Sequence, residues 1–231
     1  MKTMGLLGGM SWESTAHYYR LVNETVRERL GGLHSAKVVL YSVDFEEVEG
    51  LQRQGDWETA GRLLAAAARA LEAAGADFIV LCTNTMHLVA PAMEGAVRIP
   101  LLHIADATGE AIRAAGHASV GLLGTAFTME QPFYKDRLRE RHGLRVLVPD
   151  AGDRDRVHRV IYDELCLGKI VPESREGYRE VMERLVKEGA EAIILGCTEI
   201  SLLVSAQDAT VPLFDTTAIH ARSAAEYALR T

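Results

Sequence analysis

The chain has 231 residues, 48% of them hydrophobic and 25% charged, so it can bury one large core or two smaller ones. A formal net charge of −7 excludes the basic surface that nucleic-acid phosphates or an anionic membrane would need. No apolar run reaches the ~18 residues of a membrane span, and the opening MKTMGLLGGMSWES lacks the apolar core and cleavage site of a secretory leader, so a cytoplasmic protein is expected.

In chain order, Thr3 to Leu7 reads as a first strand, closed by Gly8-Gly9, and a helix follows from about Ser11 to Leu30 with Ser11 as its cap. The loop before that helix is a possible anion cradle. Lys37 to Val43 is a second strand, followed by a polar segment, Asp44 to Gly55, and then by an amphipathic helix from Asp56 to Ala74. A strand within Gly75 to Thr85, a helix over Met86 to Met93, a strand at Ile99 to Ile104 and a helix near Thr108 to Ala115 come next. The pattern then restarts. Ser119 to Leu123 is a strand, Phe127 to Arg141 and Arg154 to Leu167 read as helices around the strand Leu144 to Val148, and Ser174 to Lys187 is helical. A strand within Gly189 to Glu199, a strand at Pro212 to Asp215 and a helix over Thr217 to Leu229 complete the chain.

Three echoes show that the restart is a duplication. MGLLGG at Met4 to Gly9 returns as VGLLGT at Val120 to Thr125, GADFIVLCTNT at Gly75 to Thr85 returns as GAEAIILGCTE at Gly189 to Glu199, and PLLH at Pro100 to His103 returns as PLFD at Pro212 to Asp215. Alternating strands and helices imply parallel sheets covered on both faces. The expected architecture is therefore α/β: two similar doubly wound units related by a pseudo-twofold duplication, residues 1–115 and 116–210, with 211–231 packing back on the first and a site in the cleft between them. Thr83 and Cys197 hold the same place in the two copies.

Ligands of open α/β sheets sit at the carboxyl ends of strands. A thiol and a hydroxyl at matched strand ends suit proton transfer at a carbon next to a carboxylate, one group on each face. A thiol's ordinary pKa of about 8.5 is close to working pH, and a helix starting just after Cys197 is expected to lower it. Cys82 lies one position off the Cys197 register and so points to the core, whereas Cys166 falls in the apparent helix YDELCLG. Three distant cysteines form neither a disulfide framework nor a zinc site, and no metal is expected. Gly5, Gly8 and Gly9 do not spell the dinucleotide fingerprint. His87, His103 and His220 read as structural histidines, with His87 near enough to Thr83 to be a candidate activator.

Four runs in order, GLLGGMSWEST at Gly5 to Thr15, Asn84-Thr85, GCTEI at Gly196 to Ile200 and FDTT at Phe214 to Thr217, carry a resemblance over essentially the whole chain to the aspartate/glutamate racemases. That resemblance implies two α/β halves, independence from pyridoxal phosphate and any other cofactor, and two catalytic cysteines on either side of the substrate Cα. It makes Cys197 a catalytic acid/base with Thr83 in the other catalytic place, and Met10, Gln52, Asn84, Thr85, Thr198 and Glu199 the substrate-holding residues. It also implies a small amino-acid substrate and a homodimer.

The family's first motif reads Cys-Asn-Thr, and this chain has Thr83-Asn84-Thr85. A hydroxyl is a poor base at neutral pH unless a neighbour takes its proton, so lopsided racemisation is expected, with the L enantiomer the preferred substrate by the family's arrangement. Near the position where aspartate-specific members carry a Lys stands Cys166, leaving Arg53 or Lys169 as candidate partners for a second carboxylate. Acidic amino acids are the expected substrates, with a broader range as the alternative. A maleate isomerase or hydantoin racemase of the same superfamily, and a non-catalytic amino-acid sensor, are the competing readings.

Overall fold

The computed structural model describes residues 1–230. The chain divides into two compact units, residues 1–104 together with residues 220–230, and residues 105–219, where the sequence reading places its divisions at 115 and 210.

The first unit contains β1 (Met4–Gly8), α1 (Trp12–Leu30), β2 (Val38–Ser42), α2 (Phe45–Gln54), α3 (Trp57–Ala73), β3 (Phe78–Leu81), a 3₁₀ turn (Thr85–Val89), α4 (Ala90–Glu94) and β4 (Leu101–Leu102). Its four strands are parallel in the order β2-β1-β3-β4. Buried Leu7, Ile79 and Leu81 pack in one cluster with Leu64, Ala67, Ala68 and Leu71 of α3. Burial of each such Leu contributes about 1.5–3 kcal/mol. The polar stretch after β2 is the helix α2. Its ends are marked by Asp44, whose carboxylate accepts from the Glu46 N–H, and by Gly55 in the left-handed region at φ 71°, while Val48 and Gln52 face inward.

The helix α5 (Ile104–Ala114) leads into the second unit: β5 (Ser119–Gly124), α6 (Ala126–Glu130), α7 (Pro132–His142), β6 (Arg145–Leu147), α8 (Ala151–Asp163), a 3₁₀ turn (Leu165–Leu167), α9 (Pro172–Lys187), β7 (Ala192–Gly196), α10 (Ile200–Leu203) and β8 (Leu213–Asp215). The strand order β6-β5-β7-β8, again parallel, repeats that of the first unit. The helix expected over Phe127 to Arg141 is two helices, because Pro132 cannot continue the first one and instead opens the second. The helix expected to run to Leu167 ends at Asp163, and the 3₁₀ turn carrying Cys166 follows.

The last helix, α11 (Thr216–Leu229), spans the unit boundary. Its later part packs in the first unit, with Tyr227 edge-on to Phe78 at 4.8 Å and the Ala228 carbonyl accepting from the Lys2 N–H at 2.9 Å. Among the described residues no helix is long and apolar enough to cross a membrane.

Candidate active site

In each sheet the chain leaves the central strand toward one side and then crosses to the other, so the strand order reverses between β1 and β3 and again between β5 and β7. The carboxyl ends at such a reversal open a crevice, because the flanking connections diverge there. Thr83 follows β3 and Cys197 follows β7, each directly at its own unit's reversal point.

In the first unit, the loop after β1 is held against α1: the Gly9 N–H donates to Thr15 Oγ1 at 2.8 Å, and the Thr15 hydroxyl donates to the Ser11 carbonyl at 2.8 Å. Gly9 has φ 96°, and a Cβ there would collide with the Val43 backbone. This loop carries buried Met10. Buried Gln52 donates to the Met86 thioether at 3.0 Å, so α2 is fastened to the turn that also carries buried Asn84 and Thr85. The Cys82 N–H donates to the Leu7 carbonyl at 2.9 Å, setting the start of the Thr83 loop beside the end of β1.

His87 is a structural part of that loop. Its Nδ1–H donates to the Thr83 carbonyl at 2.7 Å, while Nε2 accepts the Ile104 N–H at 3.2 Å. Both ring nitrogens are thus engaged by backbone, which fixes a neutral tautomer and leaves neither nitrogen to take the Thr83 hydroxyl proton. The His87 ring lies 4.4 Å from that of His103 and 6.0 Å from that of His220. His220 donates from Nε2 to the Leu102 carbonyl and accepts the Tyr18 hydroxyl at Nδ1, and burial depresses its pKa to about 4. Cys82 is fully buried with its thiol on the Val80 carbonyl, and burial pushes the thiol up.

In the second unit, Gly196 lets the end of β7 lie against β5, since a Cβ there would stand 2.8 Å from the Leu123 carbonyl. The Cys197 thiol donates to Glu199 Oε2 at 3.0 Å, and the Thr198 hydroxyl donates to the same oxygen at 2.5 Å. Glu199 is buried, whereas Cys197 and Thr198 are partly exposed. Burial raises the Cys197 thiol well above its ordinary value, and the adjacent Glu199 carboxylate and Cys166 reinforce the rise. This corrects the sequence expectation of a lowered thiol pKa. The helix that follows has only four residues and starts three positions later, so its dipole is weak, while a carboxylate at hydrogen-bond distance opposes the thiolate directly.

Tyr178, which the sequence reading did not name, and Cys166, which the resemblance set near the position of a substrate-gripping Lys, shape this end of β7. Tyr178 of α9 is buried with its hydroxyl on the Val157 carbonyl; burial raises its pKa, and Cys197, Glu164 and Cys166 stand near enough to add to the rise. Cys166 is therefore a neighbour of the Cys197 thiol, brought there by the 3₁₀ turn. Neither was visible in local sequence pattern, because each reaches the β7 end from an element distant in the chain. The candidate carboxylate-binding cations are exposed: Arg53 is 66% exposed and paired with Glu49 at 3.3 Å, and Lys169 is exposed. Among the described residues no group of His, Cys, Asp and Glu could hold a metal ion.

Known proteins resemble this chain over its whole length. A Yersinia pestis protein solved as a candidate Asp/Glu racemase is 60% identical over the whole of both chains, with a TM-score of 0.94. An aspartate racemase homologue from Pyrococcus horikoshii is 37% identical, again over both whole chains, with a TM-score of 0.85. The broad specificity amino-acid racemase of Bacillus subtilis is 24% identical over 226 residues, 95% of each chain. The family model for Asp/Glu/hydantoin racemases matches residues 7–224, and the chain belongs to that family.

Proposed function

We propose that the protein is a cofactor-independent amino-acid racemase, in which Cys197 is the acid and base on one face of Cα and the Thr83 position serves the other. The observation that carries this reading is the Cys197–Glu199 pair, a thiol resting on a buried carboxylate at the end of β7. In the forward step Glu199 accepts the resting thiol proton, the thiolate takes the Cα proton, and the electron pair of the broken C–H bond moves into the α-carboxylate. A proton delivered to the opposite face from the Thr83 side draws that electron pair back to Cα and completes inversion, after which Glu199 gives up its proton. Asn84, Thr85 and Thr198 hold the substrate, joined by Met10 and Gln52.

The two faces are unequal. A thiol with a carboxylate partner can cycle its proton, whereas a Thr83 hydroxyl is a weak acid and a weaker base. The enantiomer whose Cα hydrogen faces Cys197 is the better substrate, and following the family arrangement we assign it as L. Acidic amino acids are the substrates the family relationship favours. The outward pairing of Arg53 with Glu49, together with the named activity of the Bacillus subtilis relative, favours a second reading in which the range is broader. A homodimer and a cytoplasmic location complete the proposal; size-exclusion chromatography with light scattering tests the dimer.

Cα proton exchange in heavy water, followed for both enantiomers of aspartate, glutamate and a panel of neutral and basic amino acids, tests the function. Exchange favouring one hand supports it, equal exchange of both hands removes the asymmetry, and binding without exchange would make the protein a sensor.

A further inference from the structure

The chain after β8 holds a polar group that the proposed chemistry has not used. Thr217 is 1% exposed, and its hydroxyl bonds to no atom among the described residues. Leaving a buried hydroxyl unpaired is costly, and the neighbouring Thr216 shows the alternative: its hydroxyl, equally buried, donates to the Leu195 carbonyl at 2.8 Å. The Thr217 N–H is also engaged, by Asp215 Oδ1 at 2.9 Å, so the side-chain oxygen is the unsatisfied atom.

Its place in the fold gives that oxygen a use. β7 and β8 pair in register as Ile193 with Leu213, Ile194 with Phe214 and Leu195 with Asp215. The pairing ends there: Cys197 follows β7 two residues after Leu195, Thr217 lies in the first turn of α11 two residues after Asp215, and the Thr216–Leu195 bond ties the start of that helix to the end of β7. In the duplicated half the matching run reads Pro100-Leu101-Leu102-His103-Ile104-Ala105, so the hydroxyl is peculiar to the half that carries the thiol.

We propose that Thr217 is a substrate-binding residue, its hydroxyl donating to the α-carboxylate of the amino acid on which Cys197 acts; this rests on the racemase reading. The choice of group follows from charge. Glu199 suits the substrate ammonium and repels a carboxylate, so near Cys197 the carboxylate needs a neutral donor. As the Cα proton leaves, negative charge builds on that carboxylate, and the bond strengthens in the transition state.

The test compares Thr217→Val, Thr217→Ser, Thr216→Val, Cys197→Ser and the unaltered protein, by Cα exchange of L-aspartate, L-glutamate and L-lysine and by thermal unfolding without ligand. With the unaltered protein active and Cys197→Ser silent, Thr217→Val is expected to lose roughly 10- to 100-fold in exchange rate at unchanged or higher Tm, and Thr217→Ser to recover most of it. Thr216→Val, which removes an internal bond, is expected to lower Tm. Thr217→Val exchanging within about twofold of the unaltered protein would overturn the inference alone. A Tm loss matching that of Thr216→Val would overturn it too, by making the hydroxyl structural. No exchange by the unaltered protein on any probe would bring down the racemase reading, and this inference with it.

Discussion

The Cys197 thiol rests on Glu199, which can take its proton, but burial and that same carboxylate oppose its ionisation. Exchange that depends on the thiolate should therefore rise with pH into the alkaline range. Glu199→Gln removes the negative neighbour, so the thiol titrates lower and the alkaline rise moves to lower pH. At the same time the proton acceptor is lost, and the maximal rate falls by roughly 10²-fold. A pH–rate profile of the two proteins reads both effects, and an unmoved rise would detach Glu199 from the thiol. In the proposed mechanism the weak group is Thr83. Thr83→Cys supplies the missing thiol, and exchange of the D enantiomer is expected to gain on that of the L, measured as the ratio of the two initial rates.

At the scale of elements, polar contacts pin helix to helix within the second unit. α5 and α7 are joined by Asp106, whose carboxylate accepts from Arg137 Nε at 2.7 Å and Nη2 at 2.6 Å, with Arg141 and His142 also on it. Burial works to raise the Asp106 pKa, and the Arg137 guanidinium, helped by His142 and Arg141, outweighs it and holds the carboxyl below its ordinary value. A depressed carboxyl contributes stability above its unfolded pKa and loses it as the pH falls through the folded one. Asp106→Asn is thus expected to cost about 1–3 kcal/mol at neutral pH. Denaturant unfolding should show that gap closing below pH 4, the ordinary carboxylate range. The element boundaries that sequence misplaced have local causes. α2 has only a short apolar stripe, Phe45, Val48 and Leu51, among charged residues, yet Asp44 and Gly55 close it at both ends. Pro132 divides a helix whose pattern otherwise ran through it.

At the scale of the molecule, the duplication was the most legible feature, because period, breaks and echoes all pointed to two parallel sheets. Strand order was not legible, and it is the order that puts Thr83 and Cys197 at reversal points. Nor could sequence place Tyr178 and Cys166 beside Cys197, since those contacts join residues far apart in the chain. Buried His220 links folding to pH. His220, depressed to about 4 by burial, is neutral in the folded protein, while the unfolded chain takes up a proton below about 6.5. Its contribution is complete above 6.5 and is lost as the pH falls toward 4, on the order of 3 kcal/mol over that window. His220→Gln should flatten the stability profile across it, and an equally steep decline in the variant would assign the loss to other groups. The central claim is that one sulfur moves the Cα proton. Deuterium incorporation at Cα, followed by mass spectrometry for separate L and D enantiomers with the unaltered protein and with Cys197→Ser, tests it most directly. The account predicts faster incorporation into the L enantiomer and none with Cys197→Ser; incorporation by Cys197→Ser at the unaltered rate would contradict it.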